Sequence, residues 1–279
     1  MTHVGRQGHP SFDSKNELVS SSDTLFETGS TRDVNGVRGP SHPARALTMS
    51  EIPEVVEAFR ACAERAKQVG FDGVELHGAN GYLIDSFLQF CTNFRTDQYG
   101  GSFENRARFL LEIVEAVKTV WPADRIGIRL SPNGVYGGMG SEDNPEMFTY
   151  VMEQLSSHGL AYLAILDGPF LPGVGFTDKC RLLTAFDAKK AFKGVVMANN
   201  SYTRDTAEGA IRSGSADLVG FGRLFISNPD LVDRFVHDWP LNGDLDHNYW
   251  FDPDMGAEGY TTFTAYDTEE VSAIYVAAQ

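Results

Sequence analysis

Three side chains that can donate a hydrogen bond or a proton lie close together in the sequence: His77, Asn80 and Tyr82. They follow a short apolar segment at 74–76, and the glycines between them let the backbone turn tightly, because glycine adopts dihedral angles that other residues avoid. His77 and Asn80 are suited to bind a carbonyl oxygen, and Tyr82 is suited to donate a proton. A lone histidine is more often structural than catalytic, so a structural role for His77 stays open.

Two later segments end in residues that could bind phosphate. Asn199, Asn200 and Ser201 follow one apolar segment, and Gly222 and Arg223 follow the next. In βα barrels the loops after the seventh and eighth strands often bind phosphate through backbone N–H groups. Gly222 would let the backbone approach the phosphate, and Arg223 would supply a forked positive charge. The alternative interpretation is a strand-ending glycine followed by a surface arginine.

Arg129 ends a third apolar segment, with its side chain expected to point inward. A guanidinium there would suit an anionic ring or a phosphate. The alternative is a structural ion pair with a carboxylate such as Glu75. Beside His77 no second histidine or carboxylate lies at ligand spacing, so the sequence predicts no metal site.

The elements that must position these residues repeat in one order: helix, glycine, short apolar strand, polar strand end. Strands are expected at 74–77, 125–130, 161–166, 194–198 and 217–221, with helices between them capped by Ser50, Ser102 and Thr203. This rhythm predicts an α/β fold with a parallel sheet and covering helices. It leaves a barrel and an open sheet both open, although no Gly-x-Gly-x-x-Gly loop supports a dinucleotide-binding open sheet.

Charge and composition exclude several classes of function. The chain has 279 residues, 42% of them hydrophobic, and a formal charge of −15, which argues against affinity for nucleic acid or anionic membranes. The sequence contains no run of about 18 apolar residues, so it predicts no membrane-spanning helix. The three cysteines are scattered and odd in number, which favours free thiols in a reducing compartment, and we expect a cytoplasmic protein.

The two ends of the chain differ from the middle. Residues 1–48 are polar and predicted to form a long loop region, within which residues 3–6 are typical of the end of a strand. Residues 239–279 form an aromatic and acidic tail, which we expect to pack on the main domain. The whole chain, 1–279, is therefore expected to form a single domain.

Several longer motifs resemble one known family. They are His-Gly-Ala-Asn-Gly-Tyr-Leu-Ile-Asp at 77–85, the stretch at 92–109 that begins Thr-Asn-Phe-Arg-Thr-Asp, Arg-Leu-Ser-Pro at 129–132, Phe-Gly-Arg-Leu-Phe-Ile-Ser-Asn-Pro-Asp-Leu at 221–231 and Ala-Glu-Gly-Tyr at 257–260. Together they resemble the old yellow enzyme family, the FMN-dependent ene-reductases, along essentially the whole chain from His3.

The resemblance implies a (β/α)8 TIM barrel with FMN across the carboxyl ends of the strands. It implies reduction of an α,β-unsaturated carbonyl compound, with NADPH or NADH as the electron donor. His77 and Asn80 would hold the carbonyl oxygen of this small-molecule enone, and Tyr82 would protonate its α-carbon. Arg129 would contact the flavin ring. The flavin phosphate would be contacted by Gly222 and Arg223. The substrate side would be lined by Tyr136 and Tyr260.

The chain departs from the family in two places. The family is usually rich in glycine where this chain has residues 199–201; asparagine there still offers backbone amides but crowds the phosphate. The first two βα units and most of the third strand, on the order of 80–90 residues at barrel proportions, have no counterpart. We therefore expect an incomplete barrel, with strands four to eight and the end of strand three.

An incomplete barrel exposes sheet edges. It suggests a truncated gene model, one half of a split protein, or a chain rebuilt to cover the gap, with a complementary N-terminal fragment or a homo-oligomer as partner. A non-catalytic homologue acting through a partner chain is the alternative function. A lyase or isomerase acting on a phosphorylated substrate is disfavoured, because no lysine lies at a strand end.

Overall fold

The computed structural model describes residues 1–167, 178–243 and 255–266. The chain divides into two compact units, Met1–Gly220 and Phe221–Gln279. Among the described residues, no helix is both long enough and apolar enough to cross a membrane.

The N-terminal region contains four very short strands between irregular segments. β1 (Val19–Ser20) pairs in parallel with β4 (Arg45–Ala46), and β2 (Ser30–Arg32) pairs antiparallel with β3 (Arg38–Pro40). Two 3-10 turns precede them, at Gly5–Gln7 and Pro10–Phe12. The sequence did not predict these strands, because segments of two or three residues are too short to show a hydrophobic period.

A parallel sheet of five strands forms the centre of the first unit. Its strands pair in the order in which they occur in the chain: β5 (Val74–Gly78), β6 (Ile126–Leu130), β7 (Tyr162–Leu166), β8 (Val196–Asn199) and β9 (Leu218–Gly220). The accompanying helices are α1 (Glu51–Gln68), α2 (Leu83–Leu88), α3 (Phe103–Lys118), α4 (Asn144–Leu155), α5 (Ala185–Phe192) and α6 (Arg204–Arg212). A doubly wound sheet reverses its strand order at a switch point, whereas this order is the one found in the wall of a βα barrel.

The two faces of the sheet differ in chemistry. Along β5 and β6, Leu76 and Ile128 are partners in register and are fully buried, on the face that packs with the covering helices. The next pair along, His77 and Arg129, points to the opposite face, because successive strand residues alternate. The alternation therefore brings polar side chains from neighbouring strands together on the inner face of the wall.

The N-terminus lies along the free edge of β5. The Met1 carbonyl accepts a hydrogen bond from the His77 N–H at 3.0 Å, and the Met1 amine donates to the Glu75 carbonyl at 2.5 Å. This is the bonding pattern of a parallel pair. The end of a strand was predicted at residues 3–6, but the strand-like pairing occurs at Met1. Residues 3–6 instead lead into the 3-10 turn Gly5–Gln7.

The predicted cap of α1 was wrong. The Ser50 side chain makes no capping hydrogen bond. Instead the Thr48 hydroxyl accepts from the Glu51 N–H at 3.3 Å, and the Glu51 carboxylate accepts from the Thr48 N–H at 2.8 Å. This reciprocal pair is a capping box, whose Thr-x-x-Glu spacing is visible in the sequence. The predicted caps Ser102 and Thr203 are confirmed.

The second unit begins with α7 (Arg223–Ser227), which the sequence did not predict, and continues with α8 (Leu231–His237). α8 starts after Asp230, whose carboxylate accepts from the Arg234 guanidinium at 2.6 Å. Residues 244–254 and 267–279 lie outside the described residues, so the packing of the C-terminal tail stays a prediction.

Candidate active site

A tight turn places the first three candidates at the end of β5. Asn80 and Gly81 both have positive φ angles, of 57° and 72°, and the Tyr82 N–H donates to the Ala79 carbonyl at 3.2 Å. Two successive positive φ angles are the signature of a type I′ turn, for which Asn-Gly is the preferred sequence. Glycine is favoured at position 81, because a φ of 72° strains other residues and a Cβ atom would lie 3.2 Å from the Cα of Gly137. We call this segment the 79–82 turn.

The turn brings His77 and Tyr82 together, with their ring centroids 5.0 Å apart. Nε2 of His77 is buried and has no hydrogen-bond partner among the described residues. Burial, together with the positive charges of Arg129 and the Met1 amine, lowers the pKa of His77 to about 4. The imidazole is therefore neutral at pH 7 and keeps one N–H to donate.

Tyr82 is held in its protonated form. Burial raises the pKa of its phenol, and the nearby Tyr136 raises it further. Tyr136 lies on the 3-10 turn Tyr136–Gly138 and is exposed. The structure thus brings Tyr136, one of the two residues predicted on the substrate side, close to the predicted proton donor.

Arg129 lies on the same face as His77, half-buried. Its guanidinium donates to Oδ1 of Asn199 at 2.5 Å. The Glu75 carboxylate accepts from the Tyr162 hydroxyl at 2.9 Å. Its charge acts on Arg129, but the described residues contain no direct ion pair between the two side chains. Burial lowers the pKa of Arg129, while the charge of Glu75 opposes this. Arg129 is therefore a desolvated cation held mainly by an amide, which suits it to contact a polar or anionic ligand.

Residues 199–201 turn sharply after β8. Asn199 also donates from Nδ2 to the Gly220 carbonyl at 2.6 Å, which links β8 to β9. Asn200 and Ser201 have φ angles of 96° and 57°, a region in which glycine is unstrained and asparagine is tolerated. The backbone geometry thus gives a physical reason for the glycine that was expected at this place.

Three predicted residues belong to the second unit. Gly222 is exposed and precedes α7, Arg223 is its first residue, and Tyr260 is exposed in the segment 255–266. Their meeting with Arg129 and residues 199–201 in one site stays a prediction. Within residues 1–167, 178–243 and 255–266, no group of three or more His, Cys, Asp or Glu side chains is arranged to hold a metal ion.

Three further residues, which were not predicted from the sequence, hold the backbone of the 79–82 turn. Gln7 donates to the Asn80 carbonyl at 2.5 Å, and the Ser131 hydroxyl accepts from the Asn80 N–H at 2.7 Å. Asp85 accepts from the Gly81 N–H at 2.8 Å and is fully buried. One signal was available: Asp85 is the only charged residue in the mostly apolar segment 83–90.

Comparison with known proteins places this arrangement among flavin enzymes. Residues 1–242 match the profile of the NADH:flavin oxidoreductase / NADH oxidase family. A putative 12-oxophytodienoate reductase 5 from Oryza sativa subsp. japonica is 39% identical over 98% of this chain and 71% of its own length. The 12-oxophytodienoate reductase 2 of Arabidopsis thaliana is 42% identical over 78% of this chain, and the match spans 58% of that protein.

Solved structures agree with these matches. Morphinone reductase in complex with tetrahydroNAD is 37% identical, with a TM-score of 0.82, over 96% of this chain and 72% of the solved chain. The old yellow enzyme homologue from Zymomonas mobilis is 36% identical, with a TM-score of 0.86, over 95% of this chain and 72% of its own.

Proposed function

Because this chain belongs to the NADH:flavin oxidoreductase / NADH oxidase family, we propose that it reduces the C=C bond of α,β-unsaturated carbonyl compounds with FMN as cofactor. The predicted old yellow enzyme resemblance and the predicted TIM-barrel class are confirmed by these matches. The observation that carries the proposal is the juxtaposition of a neutral His77, a protonated Tyr82 and a desolvated Arg129 on one face of the barrel wall.

The described residues fit a flavin. The buried, unpartnered Nε2 of His77 and the guanidinium of Arg129 lie on the same inner face and offer polar groups to a ligand there. We assign Arg129 to the flavin ring. The phosphate is assigned to the segment 199–201 and to Gly222 and Arg223. Held there and reduced by NADPH or NADH, FMN would supply the hydride for the β-carbon of the substrate.

The protein's own side chains then act on the carbonyl and on the α-carbon. His77 and Asn80 donate hydrogen bonds to the carbonyl oxygen, which polarises the double bond and stabilises the negative charge that develops there. The Tyr82 hydroxyl gives its proton to the α-carbon; with its pKa raised by burial, it remains a proton donor at neutral pH. Tyr136 and Tyr260 line the substrate side.

The test is a turnover assay on the purified chain loaded with excess FMN and freed of unbound flavin. We expect retained flavin absorbance and oxidation of NADPH or NADH that speeds up on addition of 2-cyclohexenone. Cyclohexanone is the matched control, because it has the same carbonyl but no conjugated C=C bond. Protein that stays colourless after loading, or that responds equally to both ketones, would contradict the proposal.

A partner chain would complete the barrel. The described sheet has five strands, whereas a βα barrel has eight. Among the described residues, the free edge of β5 is paired only at Met1, and Leu218 on the outer strand β9 is 43% exposed. We propose that a complementary N-terminal fragment or a second copy of the chain covers these edges. Light scattering during gel filtration tests this, and a monomer with full flavin binding and turnover would contradict it.

We propose a cytoplasmic location for the enzyme. Cys62, Cys91 and Cys180 are all free thiols. Free thiols persist in reducing surroundings, which supports this proposal.

A further inference from the structure

The 79–82 turn is held through both of its inward-facing amides. The Asn80 N–H donates to Oγ of Ser131 at 2.7 Å, and the Gly81 N–H donates to Oδ2 of Asp85 at 2.8 Å. The Ser131 hydroxyl also acts on Asp85 as a hydrogen-bond donor would, since it lowers the pKa of the carboxyl. Asp85 thus holds one turn amide directly and lies beside the side chain that holds the other.

The same carboxylate reaches a second loop of the site. Its Oδ1 accepts from Nε2 of Gln89 at 3.1 Å, and Oε1 of Gln89 accepts from the Gly140 N–H at 2.8 Å. Gly140 lies in the loop that follows Tyr136. Asp85 therefore connects the segment that carries Asn80 and Tyr82 with the segment that carries Tyr136.

An ionised carboxylate suits these contacts best, because the Gly81 N–H and Nε2 of Gln89 both donate to it and a protonated carboxyl would place a donor among them. Asp85 is completely buried, and burial raises its pKa to about 6, in spite of the hydrogen bonds that lower it. The charged or titratable groups that face it are the Arg6 guanidinium and the Cys91 thiol. Arg6 is itself buried and donates to the Gly137 carbonyl at 2.6 Å.

We propose that Asp85 is the positioning residue of this site: through the Gly81 amide and Ser131 it fixes the 79–82 turn, so that Asn80 and Tyr82 keep the geometry needed to bind and protonate the substrate. This inference rests on the proposed function. Asp85 does not touch the substrate; it acts through the backbone of the residues that do. Protonation of Asp85 replaces an acceptor with a donor and loosens the turn.

The primary test compares the two half-reactions of FMN-loaded enzyme by stopped flow. Asp85→Asn is expected to slow enone reduction roughly 10- to 100-fold, because a misplacement of about 1 Å is enough for such a loss, and to change flavin reduction by NADPH less than about twofold. In a Tyr82→Phe background the same substitution is expected to slow enone reduction less than it does in wild type, because only the positioning of Asn80 then remains to be lost. Wild type should lose its enone rate as the pH falls through about 6, and Asp85→Asn should not.

Hydrogen exchange of the flavin-free chain gives a readout that does not depend on turnover. Exchange at the Asn80 and Gly81 amides should quicken about tenfold or more in Asp85→Asn and in Ser131→Ala; the second variant leaves the carboxylate in place. Asp97→Asn is the matched control: Asp97 also holds a backbone amide, that of Tyr99 at 3.0 Å, but in another loop. This control should leave turn exchange and turnover unchanged.

The outcomes separate the two proposals. An FMN-loaded wild type without enone reduction overturns the proposed function, and the positioning role with it. An active wild type whose Asp85→Asn variant keeps its rate and its exchange, or loses both half-reactions equally, overturns the positioning role alone.

Discussion

Tyr82→Phe is expected to lower the rate of enone reduction roughly 10²- to 10⁴-fold, the usual contribution of a positioned general acid. The substitution removes only the hydroxyl, so the ring keeps its place against His77, at 5.0 Å between centroids. Flavin reduction by NADPH or NADH should change less than about twofold, because no proton from Tyr82 is needed in that step. Stopped-flow measurement of the two half-reactions separates these effects.

A second tyrosine, outside the candidate active site, provides a matched control for the loss of a hydroxyl group. Tyr99 is buried and its hydroxyl donates to Glu112 at 2.9 Å, so Tyr99→Phe removes a bonded phenol outside the site. We expect Tyr99→Phe to leave both half-reactions unchanged. Enone reduction at the wild-type rate in Tyr82→Phe would assign the proton to another donor, and Tyr136→Phe would then identify whether the neighbouring phenol supplies it.

The sequence predicted the sheet well because each of its strands is an apolar segment with a clear end. The segments expected at 125–130 and 161–166 differ by one residue from β6 (Ile126–Leu130) and β7 (Tyr162–Leu166). Prediction failed where structure is set by local hydrogen bonds. Ser50 and Thr48 both precede α1, and only the geometry shows that the capping box forms at Thr48.

The residues that would contact a ligand could be predicted from the sequence, whereas the residues that support them could not. His77, Asn80 and Tyr82 are polar residues at a strand end, a pattern with chemical meaning. Ser131 is distant in sequence from its partner Asn80, and Asp85 lies within a mostly apolar segment. Both side chains act by accepting hydrogen bonds from backbone amides. The sequence around Asp85 contains no capping motif that reports which N–H its carboxylate will accept from, so its role becomes visible only in the folded structure.

His77→Ala is expected to reduce enone turnover roughly 10²- to 10³-fold, the effect of removing one donor from an oxyanion-binding pair. The His77 side chain has a buried Nε2 for which the described residues provide no partner, so it is available to an incoming oxygen. His77→Asn restores an amide donor and should recover part of the loss. Steady-state and single-turnover rates with 2-cyclohexenone measure both variants, with flavin content checked by absorbance.

The pH dependence distinguishes a neutral donor from a charged one. With its pKa lowered to about 4, His77 gains a proton only below that pH, so its neutral form is constant from about pH 5 to 8. His77 should therefore cause no change in the rate of enone reduction near pH 6.5, the usual pKa of histidine. The fall in the rate of enone reduction near pH 6 should instead vanish in Asp85→Asn and persist in His77→Asn. His158→Ala, which removes an imidazole beside Glu115, is the control expected to change nothing. A fall that survives in Asp85→Asn and disappears in His77→Asn would mean that His77 acts as a cation, and the neutral-donor mechanism would be wrong.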